Sequence, residues 1–249
     1  MISASIITKN EEKNIRRCLE SIKWIDDIVV VDSGSTDKTI SICEEFNCKI
    51  IKTEWLGFGK TKQIGVNNTK NNWVISIDAD EELNFEFKEK ITELIGSENT
   101  KGYYLKRNSF YLGKLIKYSG WQNDYVLRLF DKRYGEFDNK LVHERILIDE
   151  SLTKKINIGF FHYPYRNISS HIKKINLYTS IASQELQRTK KINFLVFPFI
   201  AGFYKFLKVY FFRMGFLDGK QGLILAIMSS LYVFLKYLKL WLLTNNKKW

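Results

Sequence analysis

The feature that most constrains the fold of this chain is an alternation of two sequence periods over its first eighty residues. Short apolar, β-branched runs typical of buried strands alternate with segments in which apolar residues recur every three or four positions, as on one face of a helix. The predicted strands lie at 3–8, 28–31, 49–52 and 73–77, and the predicted helices at 15–25 (behind an Asn10 N-cap), 36–46 and 61–68. This alternation predicts an α/β protein with a mostly parallel sheet and right-handed crossovers.

Polar segments follow three of the predicted strands, at the sheet edge where ligands of such folds bind. The segments are Thr8-Lys9-Asn10-Glu11, Asp32-Ser33-Gly34-Ser35 and Asp78-Ala79-Asp80. No Gly-x-Gly-x-x-Gly pattern follows the first strand, which disfavours a dinucleotide-binding fold. We therefore expect a ligand site where these three segments meet.

Asp78 and Asp80 form the sharpest local signal, because side chains two residues apart on an extended segment project to one side. Two carboxylates so close repel each other unless a cation lies between them, and a hard divalent cation with diphosphate oxygens suits that arrangement. The alternative is structural: Asp78 ends a strand, and Asp80, followed by two more acids, caps the next helix. The Asp-x-Asp pattern alone does not decide between the two.

Asp32 follows a continuous β-branched run, so it lies at a strand end that faces the predicted ligand. A carboxylate there can accept hydrogen bonds from a base or a ribose. The alternative is that Asp32, Ser33 and Ser35 only form a turn and cap the next helix. Taken alone, Asp32 fits the turn better.

The positive charge of the chain is concentrated near its C-terminal end. The 249 residues include 39 Lys and Arg against 27 Asp and Glu, a formal net charge of +12. From Lys190 to Trp249 there are ten basic residues and one acid, Asp218, so this tail carries +9. A basic chain with 15% aromatic residues indicates a phosphate-bearing partner, which is a nucleic acid, a nucleotide substrate or an anionic membrane.

The three cysteines, Cys18, Cys43 and Cys48, follow no metal-ligand spacing. We expect them to be small buried apolar residues in a reducing compartment. The segment 1–7 has no basic leader and is predicted to be a strand and not a signal peptide. These features predict a cytoplasmic protein.

Two apolar stretches, 194–204 and 223–235, run through the basic tail. The longest charge-free stretch, 221–235, is shorter than the roughly 18–20 residues of a membrane-spanning helix. Each apolar stretch is followed by two lysines that share a helix face, Lys205 with Lys208 and Lys236 with Lys239. The tail is predicted to form amphipathic helices in the cytoplasmic membrane interface, with lysines toward anionic lipid. The alternative is a pair of core helices or a dimer interface.

Several motifs, in order along the chain, resemble glycosyltransferase family 2. The segments Ile6-Ile7-Thr8-Lys9-Asn10-Glu11-Glu12, 28–37 and 76–81 resemble its nucleotide-sugar half. The segments 54–59 with Lys62-Gln63, Ser119-Gly120-Trp121 with Asp124, 128–130, 142–144 and 215–219 resemble the subgroup that adds β-1,4-linked glucose to a heptose of the lipopolysaccharide core. Members of that subgroup usually carry an aromatic residue and Pro where this chain has Gln122-Asn123, a departure in the loop placed near the acceptor.

The resemblance implies a GT-A fold, inverting chemistry and a set of donor-binding residues. It implies that uridine is held by Thr8, Asn10, Glu11 and Asp32. It places Lys62 near the pyrophosphate or base, Asp78 at the ribose and Asp80 at a divalent metal (Mg²⁺ or Mn²⁺). His143 is expected to complete the metal site or to bind the diphosphate, and the forked donors of Arg128 suit a phosphate. This assignment makes physical sense, because the leaving UDP gains negative charge that a metal ion and a Lys or Arg stabilise.

An inverting transfer also needs a base that removes a proton from the acceptor hydroxyl, and the resemblance suggests Asp124 first and Glu144 second. Trp121 is expected to offer its ring to a sugar. Each of these residues also has a structural alternative. Asp124 could form an ion pair with Arg128, Arg128 could form an ordinary surface ion pair, His143 could be structural, and Trp121 could lie in the core. His162 is assigned only a structural role.

The sequence therefore predicts an inverting, UDP-sugar-dependent hexosyltransferase at the cytoplasmic face of the inner membrane, with glucose as the expected sugar. Its predicted parts are a nucleotide-sugar half (1–100), an acceptor half (101–190) and a membrane-associating tail (191–249). A polyprenyl phosphate or another glycan is the alternative acceptor. A basic nucleic-acid-binding or membrane-adaptor protein is the alternative of a different class.

Overall fold

A computed structural model describes residues 1–139, 144–165 and 167–245 of the chain. The chain divides into two compact units. The first unit comprises Met1–Asn108 and Asn123–His162, and the second comprises Ser109–Gln122 and Tyr163–Trp249. The predicted three-part division at residues 100 and 190 stays a prediction.

The first unit is built on one mixed sheet. Its strands are β1 (Ile2–Thr8), β2 (Asp27–Asp32), β3 (Lys49–Lys52), β4 (Trp73–Asp78), β5 (Glu81–Leu83), β6 (Gly102–Tyr111), β8 (Tyr125–Asp131) and β11 (Thr153–His162). The sheet order is β3-β2-β1-β4-β8-β6-β11-β5, with β3, β2, β1 and β4 parallel and β8 antiparallel to both neighbours. The short strands β9 (Glu136–Phe137) and β10 (Ile146–Leu147) pair with each other, and β7 (Lys114–Leu115) pairs with the end of β6.

Helices cross between the parallel strands, as the periodicity predicts. They are α1 (Ile15–Ile22), α2 (Thr39–Glu45) and α3 (Phe58–Asn67), and α4 (Phe85–Ile95) follows β5. Helix α1 buries Ile15, Cys18, Leu19 and Ile22, which recur at helical spacing and join the main apolar core under the sheet. The predicted mostly parallel α/β arrangement is confirmed.

The predicted N-cap Asn10 is wrong, because α1 begins only at Ile15 and Asn14 occupies the cap position. Asn10 instead adopts a positive φ of 57°, which Asn tolerates better than most residues. Its side-chain oxygen accepts a hydrogen bond from the backbone of Thr36, at 2.8 Å, in the loop that precedes α2. The same loop explains why α2 starts at Thr39 and not at Thr36.

Gly65 sets how closely α3 packs on the sheet. A Cβ atom at this position would lie 2.2 Å from the Ser5 hydroxyl oxygen and 3.2 Å from a Val31 methyl group. Only a residue without a side chain lets the helix backbone come this near to β1 and β2. The close approach holds α3 against the strands whose ends form the site described below.

The second unit is mainly helical. It contains α5 (Ile168–Gln187), α6 (Val196–Leu207) and α7 (Gly219–Thr244), with a π-helical turn (Lys208–Phe212) and a 3₁₀ turn (Gly215–Asp218) between the last two. Helix α5 begins with a capping box between Asn167 and Ser170. Helix α7 packs against both α5 and α6.

The tail forms helices as predicted, but the expected exposure of Lys239 to lipid is wrong. Lys239 is buried, and its ammonium group donates hydrogen bonds of 2.8–2.9 Å to Asn176, Thr179 and Ser180 of α5. Within the part of the chain that the structure describes, the segment 215–244 is long and apolar enough to cross a membrane. The core helix of a soluble protein can be equally long and apolar, so length and composition alone do not show that α7 crosses a membrane.

The cysteines are free, with Cys18 and Cys43 buried and Cys48 half-buried. Burial raises the pKa of the Cys43 thiol to about 12 and that of Cys48 to about 11. Thiols that stay protonated at neutral pH are poor nucleophiles and poor metal ligands. The predicted role as small buried apolar residues is therefore confirmed for Cys18 and Cys43.

Candidate functional site

The three polar segments meet at the carboxyl edge of the parallel strands. In the strand register Thr8 lies beside Asp32, and Ile7 lies beside Asp78. The ends of β1, β2 and β4 thus place residues from 8, 32 and 78 onward next to one another. This juxtaposition follows from parallel pairing, in which all carboxyl ends share one edge.

The first two segments are fastened to each other by hydrogen bonds. The Asp32 carboxylate accepts from the backbone of Gly34 and Ser35, at 3.0 and 2.9 Å, and from the Ser35 hydroxyl at 2.5 Å. The Ser35 hydroxyl oxygen in turn accepts from the backbone N–H of Asn10 at 2.9 Å. Asp32 therefore forms the turn that the sequence offered as the alternative, and this turn shapes the loop beside Thr8.

Two hydroxyl groups in this region lack partners. Thr8 and Ser33 are both buried, and among the described residues neither side-chain oxygen has a hydrogen-bond partner. Buried polar groups are normally paired, because leaving one unpaired costs free energy. Two such groups at the ends of adjacent strands are suited to hydrogen-bonding a ligand.

The Glu11 side chain, another residue of the first segment, accepts a hydrogen bond from the Asn14 amide at 2.7 Å. Its backbone N–H donates to the Thr39 hydroxyl at 2.8 Å. Glu11 therefore fixes the start of α1 and the start of α2 relative to the strand ends.

Asp78 is the centre of a chain of ion pairs. Lys62 of α3, only 3% exposed, lies 2.8 Å from Asp78 Oδ1 and 2.7 Å from Glu144 Oε1. Arg128 of β8 lies 2.7 Å from Asp78 Oδ2 and also pairs with the buried Glu81. Glu81 further accepts the backbone N–H of Asp78 at 3.0 Å. Three carboxylates and two cations thus alternate along one buried network.

The network perturbs the acidity of its members in opposite directions. Burial by itself would raise the pKa of Asp78, but the Arg128 and Lys62 charges outweigh it and hold that pKa well below its usual range. Burial raises the pKa of Glu81, although Arg128 opposes this shift. Burial lowers the Arg128 pKa less than the Asp78 and Glu81 carboxylates raise it. Asp78 therefore stays ionised between the Lys62 and Arg128 side chains.

Arg128 keeps one donor for another partner. Its Nε is buried and has no hydrogen-bond partner among the described residues. Arg128 and Glu144 also line a cavity of about 440 Å³ in the first unit. The alternative of a surface ion pair is wrong, because the Arg128 ion pairs are buried.

Asp80 lies beside His162, which pairs with Glu81 of the Asp78 network in the β11–β5 register. Its Oδ2 lies 3.7 Å from His162 Nε2. Burial lowers the His162 pKa to about 4, with Glu81 opposing and Arg107 reinforcing that shift, so the imidazole is neutral at neutral pH. The helix-cap alternative for Asp80 is wrong, because β5 follows it and Asn84 caps α4.

A protein-only metal centre is absent from the described part of the chain, which contains no group of three or more His, Cys, Asp or Glu side chains arranged around a cation. The predicted ligand His143 lies outside the described residues. Both Asp78 oxygens face cations, which leaves Asp80 as the carboxylate for a metal. This donor set fits a Mg²⁺-type ion, which binds proteins through one or two carboxylates together with substrate phosphates.

Asp124, the predicted base, pairs with a residue that the sequence did not single out. Arg107 of β6 donates to Asp124 Oδ2 from Nε at 2.8 Å and from its terminal nitrogen at 2.6 Å. The alternative of an Asp124–Arg128 ion pair is therefore wrong, and the partner is Arg107. The antiparallel pairing of β6 with β8, which sets Lys106 beside Tyr125, is the signal that would have indicated Arg107.

Trp121 belongs to the second unit and packs in an apolar cluster there. Its ring meets the edge of Tyr111 at a centroid distance of 6.0 Å, and the cluster also contains Ile116 and Leu225. This is the core role that the sequence offered as the alternative. Glu81, by contrast, was missed as a site residue, since nothing in a run of acids distinguishes its buried member.

The sequence comparisons match glycosyltransferases. The profile described as "Glycosyl transferase family 2" matches residues 3–166. An uncharacterized glycosyltransferase of Rickettsia typhi is 32% identical over 96% of this chain and 86% of that protein. The lipopolysaccharide core biosynthesis glycosyltransferase LpsC of Rhizobium meliloti is 28% identical over 96% of this chain and 92% of its own length.

Solved structures share the fold. The TarS 1–349 structure from S. aureus, in complex with UDP, covers 100% of this chain and 92% of that chain with a TM-score of 0.51 at 14% identity. Another S. aureus TarS structure gives the same TM-score at 16% identity, and there the match covers 88% of this chain and 45% of TarS. At such low identity the likeness establishes the architecture alone.

Proposed function

The chain belongs to glycosyl transferase family 2 and has the α/β GT-A fold of a nucleotide-sugar transferase, and from this premise we propose that it transfers a hexose from a UDP-sugar to a heptose of the lipopolysaccharide inner core. Glucose is the proposed hexose, and the transfer inverts the anomeric centre. An acceptor in the lipopolysaccharide core is supported by the match to LpsC over nearly the whole chain, and the choice of heptose rests on the resemblance of the sequence motifs.

The observation that carries the donor proposal is the pair of unpartnered buried hydroxyls, Thr8 and Ser33, at the carboxyl edge of the sheet. In the proposal they bind the uridine end of the donor, and the loop shaped by Asp32, Asn10 and Glu11 encloses it. The same edge is where nucleotides bind in open α/β sheets. In the proposal, Asp78 and Asp80 then engage the ribose and the metal at the diphosphate.

The leaving diphosphate needs positive charge where its own negative charge develops. Lys62 and Arg128 supply two fixed cations there, and the unpartnered Arg128 Nε is a donor suited to a phosphate oxygen. Asp80, with His143 as a second proposed ligand, would hold a divalent metal. That metal, when bound, supplies further positive charge to the diphosphate oxygens.

Asp124 is the proposed general base. Arg107 holds its carboxylate from two nitrogens, so the unshared oxygen, Oδ1, is the one proposed to take the acceptor proton. A fixed orientation matters, because a base must lie within hydrogen-bond reach of the proton it removes. Glu144 is the second candidate, but its carboxylate already binds the Lys62 ammonium.

A polyprenyl phosphate or another glycan is the alternative acceptor, and it uses the same donor site. The proposed place of work is the cytoplasmic face of the inner membrane, where such acceptors are lipid-borne. A nucleic-acid-binding or adaptor role is not favoured, because family membership and the charged site both indicate an enzyme.

The test is donor turnover and transfer by an Asp80→Ala variant with Mg²⁺ or Mn²⁺ and UDP-glucose. We expect a loss of about a hundredfold or more with unchanged thermal unfolding, since one metal ligand is removed from a partly exposed position. Asp26→Ala, at an exposed position outside the site, is the matched control. Full transferase activity in Asp80→Ala would refute the metal assignment.

The acceptor is tested by offering UDP-glucose with truncated core oligosaccharide or with polyprenyl phosphate and analysing the linkage of the product. β-Glucosylated heptose supports the proposal. Transfer to the lipid phosphate alone would replace the acceptor by the alternative. Transfer to neither, with donor hydrolysis intact, would refute both acceptors and leave the donor assignment.

A further inference from the structure

Helix α6 buries small residues and exposes large apolar ones, which is the reverse of a surface helix in a soluble domain. It buries Pro198 and Gly202, while Phe199, Ile200 and Phe203 are exposed, Phe203 to 64%. A surface helix normally turns its large apolar side chains toward the core. The exposed face of α6 therefore lacks a partner that its composition requires.

The packing of α6 on α7 fixes this orientation. A Cβ atom on Gly202 would lie 3.1 Å from Phe234 Cβ and 3.4 Å from the Ser230 carbonyl oxygen. The Ser230 hydroxyl donates to the Gly202 carbonyl at 2.8 Å. The side of α6 that carries Gly202 thus makes the close contact with α7, and the side that carries Ile200 and Phe203 points outward.

The exposed apolar surface continues beyond α6 on both sides. Together with α6 it forms what we call the aromatic face, whose large exposed members include Phe194, Phe199, Ile200, Phe203, Tyr204, Phe211 and Phe212. Contiguous exposed apolar surface of this extent marks an interaction site in soluble proteins. Phenylalanines dominate it, and they carry no hydrogen-bonding group that a polar protein surface would satisfy.

The charges around the aromatic face are almost all positive. Exposed basic residues flank it at 190, 191, 208, 213 and 220. The single acid of the tail, Asp218, is 1% exposed and accepts hydrogen bonds from Lys117, Tyr118 and Ser119. The face therefore presents apolar rings with a basic margin, which complements an anionic lipid surface.

Helix α7 is held in a way that does not suit a membrane-crossing helix. Lys239 is anchored by polar groups of α5, a helix that also exposes Lys173, Gln184 and Glu185. Crossing a bilayer would carry this anchored polar helix into hydrocarbon or break the hydrogen bonds of a buried ammonium, and both are costly. Helix α7 is thus the inner layer beneath α6.

From these observations we infer that the aromatic face is a docking surface for an anionic phospholipid bilayer, with α6 lying in the plane of the interface and α7 packed above it without crossing. Where the inference names the membrane at which the transferase works, it rests on the proposed function. It goes further by assigning the contact to one face of one helix and by excluding a spanning role for α7.

The test measures binding of the full-length protein to preformed vesicles of phosphatidylcholine with 30% phosphatidylglycerol by flotation. Phe199→Glu/Phe203→Glu should lower the vesicle partition coefficient about a hundredfold or more, because two exposed rings that would insert into the lipid are replaced by charged side chains. Lys190→Gln/Lys191→Gln should lower it about twentyfold at low salt, and vesicles of phosphatidylcholine alone should bind the parent protein correspondingly less.

Two matched controls separate this face from general surface hydrophobicity. Phe85→Glu lies in the first unit at 70% exposure, and Leu177→Glu lies on α5 at 58% exposure. Both should leave vesicle binding within about twofold of the parent. Equal losses in Leu177→Glu and Phe199→Glu/Phe203→Glu would overturn the assignment to α6.

Position relative to the bilayer is tested with a fluorescent label on single cysteines in a Cys48→Ser background, since Cys18 and Cys43 are buried. A label at Phe203→Cys should be quenched by nitroxide lipid, and one at Leu177→Cys should not. Quenching at both positions would overturn in-plane docking. Concentration-dependent dimerisation of the parent that Phe203→Glu abolishes, without vesicle binding, would replace the bilayer by a second copy of the chain.

The docking and the enzymatic proposals fail separately. Phe199→Glu/Phe203→Glu should retain transfer to soluble, deacylated core oligosaccharide while losing vesicle binding. A parent protein that binds vesicles but transfers nothing would refute the proposed function and leave the docking surface. A parent protein that transfers sugar but ignores anionic vesicles would refute the docking surface alone.

Discussion

The two units of the molecule bury charge in opposite ways. At the carboxyl edge of the first unit, Lys62 and Arg128 are buried against carboxylates in a network of ion pairs. In the second unit, the buried Lys239 donates to the amide, carbonyl and hydroxyl oxygens of Asn176, Thr179 and Ser180. Both arrangements satisfy the cation, but only the first leaves fixed charges beside a ligand-binding edge.

The contrast teaches how to distinguish a reactive cluster from a structural anchor. A buried ion-pair network is expensive to assemble, because each ion is desolvated, and it is often no more stable than an apolar core. Its presence at a sheet edge with unpartnered hydroxyls therefore indicates function. A lysine held by neutral oxygens positions one helix on another and needs no further explanation.

The largest expected effect concerns the base. Asp124→Asn should lower kcat about 10²–10⁴-fold with little change in KM for the donor, because the amide cannot take the acceptor proton. Steady-state transfer kinetics measure it, with Glu144→Gln assayed in parallel. A large kcat loss in Glu144→Gln together with near-parent kcat in Asp124→Asn would reverse the two roles.

The ion-pair network is tested by Lys62→Met. We expect the free energy of unfolding to fall by about 3–5 kcal/mol, because Asp78 and Glu144 lose a buried counter-charge. Denaturant unfolding measures it, and Lys60→Met, at an exposed position on the same helix, should change stability by less than about 0.5 kcal/mol. The double variant Lys62→Met/Glu144→Gln should lose less free energy of unfolding than the sum of the losses in the two single variants. Strictly additive losses would contradict the network.

Removing the Lys239 ammonium group should lower the free energy of unfolding less than removing that of Lys62. Lys239→Met is expected to lower the free energy of unfolding by about 1–3 kcal/mol, because the lost hydrogen bonds leave neutral acceptors unpaired while a desolvated charge is removed. Lys236→Met, one turn earlier on α7, is the control. A loss in Lys239→Met as large as that in Lys62→Met would erase the distinction between the two units.

The smallest expected effect is on pH dependence in the second unit. His171 is buried and stacked on Tyr165, and burial, reinforced by Lys174, lowers its pKa to about 4. Because the folded pKa lies below the unfolded value of 6.5, the unfolded state binds a proton first, and stability is lost as pH falls from about 6.5 toward 4.

His171→Phe should remove this pH dependence and flatten the stability profile between pH 6.5 and 4.5. Unfolding curves at several pH values measure it. The shared hydrogen bond with Tyr111, at 2.9 Å, is lost in the variant, so a uniform drop in stability is expected at all pH values. An unchanged slope would show that His171 does not titrate between these limits.

Much of the first unit could be predicted from sequence because its signals are local. The strand at 49–52 is found at the predicted residues, and the strands at 3–8, 28–31 and 73–77 are each extended by one or two residues. The N-cap of α1 could not be predicted, because Asn10 hydrogen-bonds to the loop before α2 and Asn14 occupies the cap position. A capping preference is overridden when tertiary structure offers the side chain another partner.

The partners of the charged residues could not be predicted. Lys62 and Glu144 are 82 residues apart, and Arg128 and Asp78 are 50 apart, distances over which no periodicity carries information. Sequence spacing suggested that Arg128 pairs with Asp124, four residues away, whereas β8 turns Arg128 toward Asp78 and Arg107 reaches Asp124 from the neighbouring strand. The roles of the site residues stay predictions that the variants above test.

By itself the sequence determined the alternation of strands and helices, the edge at which the polar segments gather, the family, and the basic apolar character of the tail. These properties depend on composition and on neighbours within a few residues. Only the tertiary structure decided which charge pairs with which, that Lys239 faces α5, and that α6 turns its phenylalanines outward. The physical reason is that Gly202 must meet α7 and buried charges must find partners, and both conditions are satisfied between elements distant in the chain.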